Sequence, residues 1–216
     1  MPSPKIVKRA AKVAVFLACL VPLALLVADL LGGRLGADPI RATELRTGQA
    51  GLILLIVTLA VTPLRRLTGW NWLGGYRRML GLFAFGYICL HFLDWLGVDQ
   101  FFALTYIGKD IVKRPYITVG FASFLLMIPL AITSSSRMVR RLGRRWAQLH
   151  ALVYVAALGG IIHFIWEVKA DLGEPTTYGL IVVALLLLRF VPREVFGLLR
   201  PAPSASRVPR SVAPSA

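Results

Sequence analysis

The sequence predicts an all-α integral membrane protein: a six-transmembrane-helix bundle with both termini in the cytoplasm. Three observations predict it. Of the 216 residues, 57% are hydrophobic and only 16% are charged, against about 25% charged in an average soluble domain. Six long apolar runs punctuate the chain. The basic residues, which leave a net charge of +15, lie between those runs and favour alternate sides, as in membrane proteins. The composition excludes an ordinary soluble domain. So much apolar surface also excludes a disordered chain, and the placement of the basic residues points to lipid rather than nucleic acid.

A bilayer core of roughly 30 Å takes about 20 mostly apolar helical residues. The runs cover residues 12–31, 47–64, 79–97, 116–133, 147–166 and 176–191. The first follows Lys5, Lys8, Arg9 and Lys12 and resembles a secretory leader. Its apolar stretch is long, however, and no A-x-A-like site follows, so it reads as a retained helix. The second run ends ahead of Arg65 and Arg66, the third opens behind Arg77 and Arg78, and the fourth opens at Lys113-Arg114-Pro115-Tyr116. The fifth follows an arginine-rich loop, and the sixth stops at Pro192. The expected organisation is a cytoplasmic N-terminus (1–11), a membrane domain (12–191) and a cytoplasmic tail (192–216), whose Pro, Ser and Ala content predicts disorder. No connection exceeds 18 residues, which leaves no room for a soluble catalytic domain.

Charge sets the expected orientation. The N-terminus, the 65–78 and 134–146 loops and the segment from Arg189 hold 18 of the 25 lysines and arginines, an excess that places both termini in the cytoplasm. The acidic residues oppose them. Asp29, Asp38, Glu44, Asp94, Asp99, Asp110, Glu167, Asp171 and Glu174 lie at the other ends of the runs, and only Glu194 does not. Trp70, Trp72, Trp95, Trp146 and Trp166 fall at run ends, as in interfacial aromatic belts. Cys19 and Cys89 sit inside apolar runs and read as small buried hydrophobes.

The three histidines, His91, His150 and His163, all fall within predicted spans. Ionisable groups in a bilayer mark functional sites by default, although a histidine bonded to a neighbouring helix is the plainer alternative. Helices three and five run in the same direction. His91 lies 14 residues after Arg77 and His163 lies 13 after His150, about 20 Å of helical rise in each case. His91 and His163 therefore share one depth near the outer face. His150 stands near the inner face, level with Arg77 and Arg78. Two neutral imidazoles at one depth on facing helices suit the axial positions of a haem iron. With no C-x-x-C-H motif, the haem would be b-type. Gly81, Gly86, Gly159 and Gly160 would admit a flat macrocycle, or would serve plain helix packing. Asp94 and Glu167 follow His91 and His163 at helical spacing, either as hydrogen-bond partners of the ligands or as solvated acids.

The 65–78 and 134–146 loops carry arginine and neither lysine nor acid: Arg65, Arg66, Arg77, Arg78, Arg137, Arg140, Arg141, Arg144 and Arg145. Topology and headgroup contact account for most of them. An arginine fork also suits phosphate, so Arg77 and Arg78 are candidates for an anionic cofactor such as a flavin phosphate. On the outer side, Lys113-Arg114-Pro115-Tyr116 either pairs haem propionates or anchors the fourth helix.

Several strings in this chain resemble the MsrQ (YedZ-like) family. They are Thr62-Pro63-Leu64-Arg65-Arg66-Leu67, Arg77-Arg78-Met79-Leu80-Gly81-Leu82, His91, Lys113-Arg114-Pro115-Tyr116-Ile117-Thr118, Leu130-Ala131-Ile132-Thr133-Ser134, Leu142-Gly143 with Trp146 and His150, and His163. The resemblance covers roughly residues 45–168. It implies the haem-binding membrane subunit of a bacterial periplasmic methionine-sulfoxide reductase system, within the ferric-reductase-like transmembrane superfamily. By that resemblance the chain is a multi-pass protein of the bacterial inner membrane and a non-catalytic subunit of an oxidoreductase. Electrons would enter from the quinone pool or a cytosolic flavin reductase. They would pass through haem b, and FMN, to a periplasmic molybdenum-cofactor subunit that repairs oxidised envelope proteins. One feature departs from the superfamily's two histidine pairs: helix three has His91 alone, with Arg77 and Arg78 at the level of the missing partner. His150 is left to a second haem, a flavin or a quinone site. The competing readings are a ferric or other metal reductase haem subunit, a small histidine-dependent transporter, and a passive membrane anchor.

Overall fold

The fold is that of a computed structural model describing residues 4–168, 171–192 and Val195. The expected tail beyond Pro192, Val195 apart, and Glu194 with it, lie outside the described residues. The described residues are helical, with no strand among them. In chain order they form α1 (Pro4–Leu31), α2 (Pro39–Thr68), α3 (Arg77–Asp94), α4 (Leu104–Lys113), α5 (Pro115–Ile132), α6 (Ser136–Leu142), α7 (Arg144–His150), α8 (Leu152–Glu167) and α9 (Gly173–Leu187). A 3-10 turn, Asn71–Gly75, leads into α3, and a π-helical turn, Trp95–Asp99, extends it.

Five helical stretches are long and apolar enough to cross a bilayer: Lys5–Leu31, Pro39–Thr68, Arg77–Val98, Pro115–Ile132 and Arg144–Glu167. The chain is a multi-pass membrane protein. The sixth apolar run forms α9, whose 15 residues rise roughly 22 Å and fall short of a bilayer core. Glu174 and Pro175 stand in its first turn, and the helix ends ahead of Arg189.

The helices do not keep to the apolar runs. α2 begins eight residues early because Asp38 caps it, its carboxylate accepting from the Arg41 N–H at 2.9 Å, with Pro39 at the first helical position. It stops at Gly69, whose φ of 75° suits glycine and whose N–H reaches the Arg65 carbonyl. The 98–115 connection is no open loop. It holds α4, whose Ile107 is buried with Trp95 and Ile117. Trp95 is therefore a core residue, and the belt expectation fails for it. Trp70, Trp72 and Trp166 remain about half exposed.

α2 packs along α3 and α5 along α8, the two most extensive helix contacts. The pairs meet around a core that includes Leu52, Leu55, Leu59, Ala84, Met127, Ala156 and Ala157, with Val182 of α9. One end of the bundle gathers the acidic residues, with Arg34, Arg41, Arg46 and Arg114 paired among them, and the other carries most of the arginines. Cys19 is buried, Cys89 is half-buried, and both are free thiols.

α1 is tied to this core at its proline. Pro22 lacks an N–H and disturbs the helical ladder around it. There the Tyr87 hydroxyl inserts between two groups that would pair in a regular helix. It accepts from the Leu23 N–H at 3.0 Å and donates to the Cys19 carbonyl at 2.8 Å. Away from water such groups need partners, and Tyr87 itself is 4% exposed. Replacing it by Phe (Tyr87→Phe) should cost about 1 kcal/mol, seen as a lower thermal midpoint of the detergent-solubilised chain.

Candidate functional site

The site is one unit built twice. On α3, His91 lies against Gly48 of α2, and its Nδ1 is 2.9 Å from the Glu44 carbonyl oxygen. On α8, His163 lies against Gly120 of α5, and its Nδ1 is 2.8 Å from the Tyr116 carbonyl oxygen. In each unit the accepting carbonyl stands four residues before the glycine. A helical carbonyl already bonded to the N–H four residues on keeps a second lone pair. A glycine at that position clears the approach: a Cβ at Gly120 would sit 2.6 Å from the His163 Nδ1, and one at Gly48 3.0 Å from the His91 Nδ1.

A carbonyl only accepts, so each Nδ1 carries the proton and each Nε2 keeps its lone pair. That is the tautomer a metal-ligating histidine requires. The ring centroids are 6.1 Å apart with planes at 73°. Two imidazoles on opposite sides of one metal, at ~2.0–2.1 Å per bond, would have centroids roughly 6 Å apart.

A cavity of about 450 Å³ opens around the pair, within the range of roughly 300–1,000 Å³ for ligand sites. Its floor is apolar, with Leu52, Leu55, Ile88, Phe124, Met127 and Ala156. One wall is aromatic: Phe92 stacks on Phe124 at 4.6 Å and on Phe121 at 5.7 Å. The mouth, at the acidic end, carries Asp38, Arg41, Glu44, Arg114 and Glu167.

Several sequence expectations are corrected here. Glu167 neither bonds His163 nor stands solvated. It forms an ion pair with Arg41 across the mouth, its side chain 12% exposed. Backbone carbonyls hold both Nδ1 atoms, so Asp94 is not the His91 Nδ1 partner. Of the four glycines singled out, Gly160 lines the cavity, while Gly159 faces Ser123 and Gly81 faces Thr58 in helix packing. Gly86 is exposed, and its Cβ position meets nothing within 4 Å outside its own stretch of helix. Lys113 is exposed and absent from the lining, whereas Arg114 lines the mouth.

The arginine-rich end differs. His150 stacks on Trp146 at 4.0 Å. The Thr133 hydroxyl donates to the Pro129 carbonyl at 2.6 Å and accepts from the His150 Nε2, 3.1 Å away, which occupies that nitrogen. Arg77 donates to Thr62 at 3.4 Å, while Arg78 is exposed. Arg189 fills the middle of this end, its guanidinium 4.4 Å above the Tyr154 ring and bonded to that hydroxyl. It also reaches the Leu59 carbonyl at 3.5 Å, the one that Pro63 leaves without an N–H partner.

Sequence reasoning missed Gly48, Gly120, Arg41, Arg189 and the two threonines. A signal for most of them existed. Glu44, Gly48 and His91 precede Tyr116, Gly120 and His163 by 72 residues each, and both histidines precede phenylalanine. Leu59-Ala60-Val61-Thr62 likewise reappears as Leu130-Ala131-Ile132-Thr133.

The fold and paired site define a class, multi-pass helical membrane proteins with two interior histidines facing each other. Residues 47–161 match the family model described as "Ferric reductase like transmembrane component". The chain belongs to the MsrQ family within that class. It is 53% identical to the "Protein-methionine-sulfoxide reductase heme-binding subunit MsrQ" of Rhodospirillum rubrum, over 85% of this chain and 89% of the relative. The identity to the protein of the same name in Herminiimonas arsenicoxydans is 53%, over 81% of each chain. For the one in Brucella anthropi it is 52%, over 74% and 72%. No solved structure matches the chain.

The clearance at the two glycines differs, and so should the cost of filling it. Gly120→Ala forces the His163 ring off its carbonyl and should destabilise by about 1–3 kcal/mol. Gly48→Ala, with more room, should cost less. Thermal unfolding of both variants in detergent orders them.

Proposed function

We propose that this chain is the electron-transfer subunit of a protein-methionine-sulfoxide reductase system in the bacterial inner membrane, with a single haem b held by His91 and His163. The observation that carries this reading is the pair of Nδ1–carbonyl bonds, which leave two Nε2 lone pairs in one cavity, with the ring centroids 6.1 Å apart. Two imidazoles fill only the two axial positions of a metal, so its equatorial ligands would come from a planar chelator. The relatives' name, a heme-binding subunit, agrees with that chemistry. A bound haem supplies one-electron exchange between ferric and ferrous iron.

The chain's own residues supply the rest. His91 and His163 hold the iron, the glycines and carbonyls fix their rings, and the apolar floor excludes water. The acidic end faces the periplasm, where a molybdenum-cofactor reductase subunit takes up electrons. The arginine-rich end and both termini face the cytoplasm. α9 is shorter than a bilayer core, and its contacts with both ends of the bundle carry our reading of it as the sixth crossing: Glu174 meets Gln49 at the acidic end, and Arg66 reaches the Arg189 carbonyl at the other. The occupied His150 Nε2 and the Arg189 plug argue for one haem. Arg77, Arg78 and His150 would then serve electron entry from the quinone pool or a cytosolic flavin reductase, binding FMN or a quinone.

His91→Ala or His163→Ala should remove most bound haem from protein that still inserts in the membrane, whereas His150→Ala should keep it. Absorption in the Soret region of purified protein measures this, and full occupancy in the first two variants would refute the ligand assignment. Arg77→Ala/Arg78→Ala should load haem normally but accept electrons at least tenfold more slowly from an inner-side donor. An unchanged reduction rate and flavin content would leave the two arginines as lipid anchors.

A further inference from the structure

The connection between α3 and α5 carries two charges that the bundle does not use. At the acidic end each arginine has a carboxylate: Arg34 and Arg46 share Asp29, Arg41 has Glu44 and Glu167, and Arg114 has Asp110. Lys109 and Lys113 of α4 differ. Both are exposed, and neither forms an ion pair among the described residues. The Asp110 carboxylate between them in sequence accepts from Gln100 at 3.2 Å and pairs with Arg114.

The two lysines flank an apolar residue. Lys109, Val112 and Lys113 share one face of the helix by their spacing, and Val112 is 83% exposed. The opposite face binds the bundle. Ile107 is buried with Trp95 and Ile117, Ile111 packs on that cluster, and the Thr118 hydroxyl donates to the Ile111 carbonyl. The turn before α4 is apolar as well. Phe101 and Phe102 have φ of 49° and 56°, a left-handed backbone that is unfavourable for bulky side chains. A water-facing turn of that shape would carry glycine or asparagine. Phe101 is 79% exposed, and the exposed Leu90, Leu93 and Val98 lead up to it from the membrane-spanning stretch of α3.

Depth decides what covers this surface. The Arg77–Val98 stretch has 22 residues and α5 has 18, which rise roughly 33 and 27 Å, against a bilayer core of roughly 30 Å. α4 joins the ends of these two helices, so both of its own ends lie at the edge of the hydrocarbon. A helix at that depth meets phospholipid with its outward face, where ammonium groups find phosphates and apolar side chains find acyl chains. Two lysines without a carboxylate favour a headgroup of net negative charge.

We propose that α4 and the Phe101-Phe102 turn form a binding site for anionic phospholipid in the leaflet at the acidic end of the bundle. Lys109 and Lys113 take the headgroup, and Val112 and Phe101 sit among the acyl chains. The bound lipid holds α4 against Trp95 and Ile117, two residues of the cavity wall. This site is independent of the haem reading, and its test involves no haem.

The full chain, with Cys19→Ala and Cys89→Ala, receives Val112→Cys and a bimane label. It is reconstituted in phosphatidylcholine nanodiscs that contain either brominated phosphatidylcholine or brominated phosphatidylglycerol as quencher. Both lipids should quench the label, and the phosphatidylglycerol should do so at a roughly five- to twentyfold lower mole fraction, the scale of one or two lysine–headgroup contacts. Lys109→Gln and Lys113→Gln should each cut that preference about fivefold, and the double variant should abolish it. Lys8→Gln, at the other end of the bundle, should leave it unchanged. Phe101→Cys carries the label instead if the Val112→Cys protein fails to fold. Quenching by aqueous iodide and by neither lipid would put this face in water, open to a protein partner, and would overturn the proposal. Quenching by none of the three would mean that a second copy of the chain covers the face, with the same result. Equal quenching by the two lipids would overturn the anionic site.

Discussion

The structure depends on one hydrogen bond, made twice: an imidazole Nδ1–H donated to a helix carbonyl past a glycine. It settles the tautomer, because the carbonyl can only accept. It settles the ring direction, because the carbonyl is part of a rigid helix. It also demands close helix approach, which a side chain at Gly48 or Gly120 would prevent. With those bonds in place, α2 must lie along α3 and α5 along α8. The 6.1 Å between the rings is then a property of four packed helices rather than of two mobile side chains. Small residues at a membrane helix interface usually serve packing alone. Here they also serve histidine alignment.

The bilayer imposes the second constraint. Backbone groups disturbed by a proline must find partners without water, and the chain meets this with long-range side chains. Tyr87 bridges the ladder of α1 beside Pro22, and Arg189 approaches the Leu59 carbonyl that Pro63 leaves unpaired. The second contact has a consequence for the site. By occupying the arginine-rich half of the bundle, Arg189 makes the two halves unlike. One keeps a cavity lined by two histidines whose Nε2 atoms have no hydrogen-bond partner among the described residues. The other is filled by a guanidinium over Tyr154, with the His150 Nε2 engaged by Thr133. A repeat visible in the sequence has thus diverged into a cavity at one level and a packed polar cluster at the other.

Legibility in the sequence followed the range of the interactions. The apolar runs appeared because a membrane span is a local property of about 20 consecutive residues. The matched depth of His91 and His163 was readable because helical rise is regular, and the structure brings the two rings together. Asp94 and Glu167 were misjudged because spacing along one helix says nothing about a neighbouring helix: Glu167 found Arg41, and the histidines found carbonyls. The ends of α2 and the presence of α4 were missed because an apolar-run criterion does not register a capped polar turn or an amphipathic surface helix.

The sequence by itself determined the material and its arrangement along the membrane normal: helices, their polarity, the arginine-rich and acidic ends, and the depth of each histidine. These follow from composition and a fixed rise per residue. Only the tertiary structure decided what lies beside what at a given depth. It placed Gly48 under His91 and Gly120 under His163, directed each Nδ1 to a carbonyl, set Arg41 and Arg114 at the mouth, and drove Arg189 into the other end. Those are choices of helix rotation and neighbour, which helical rise does not constrain and which only the packing of one helix against another can settle.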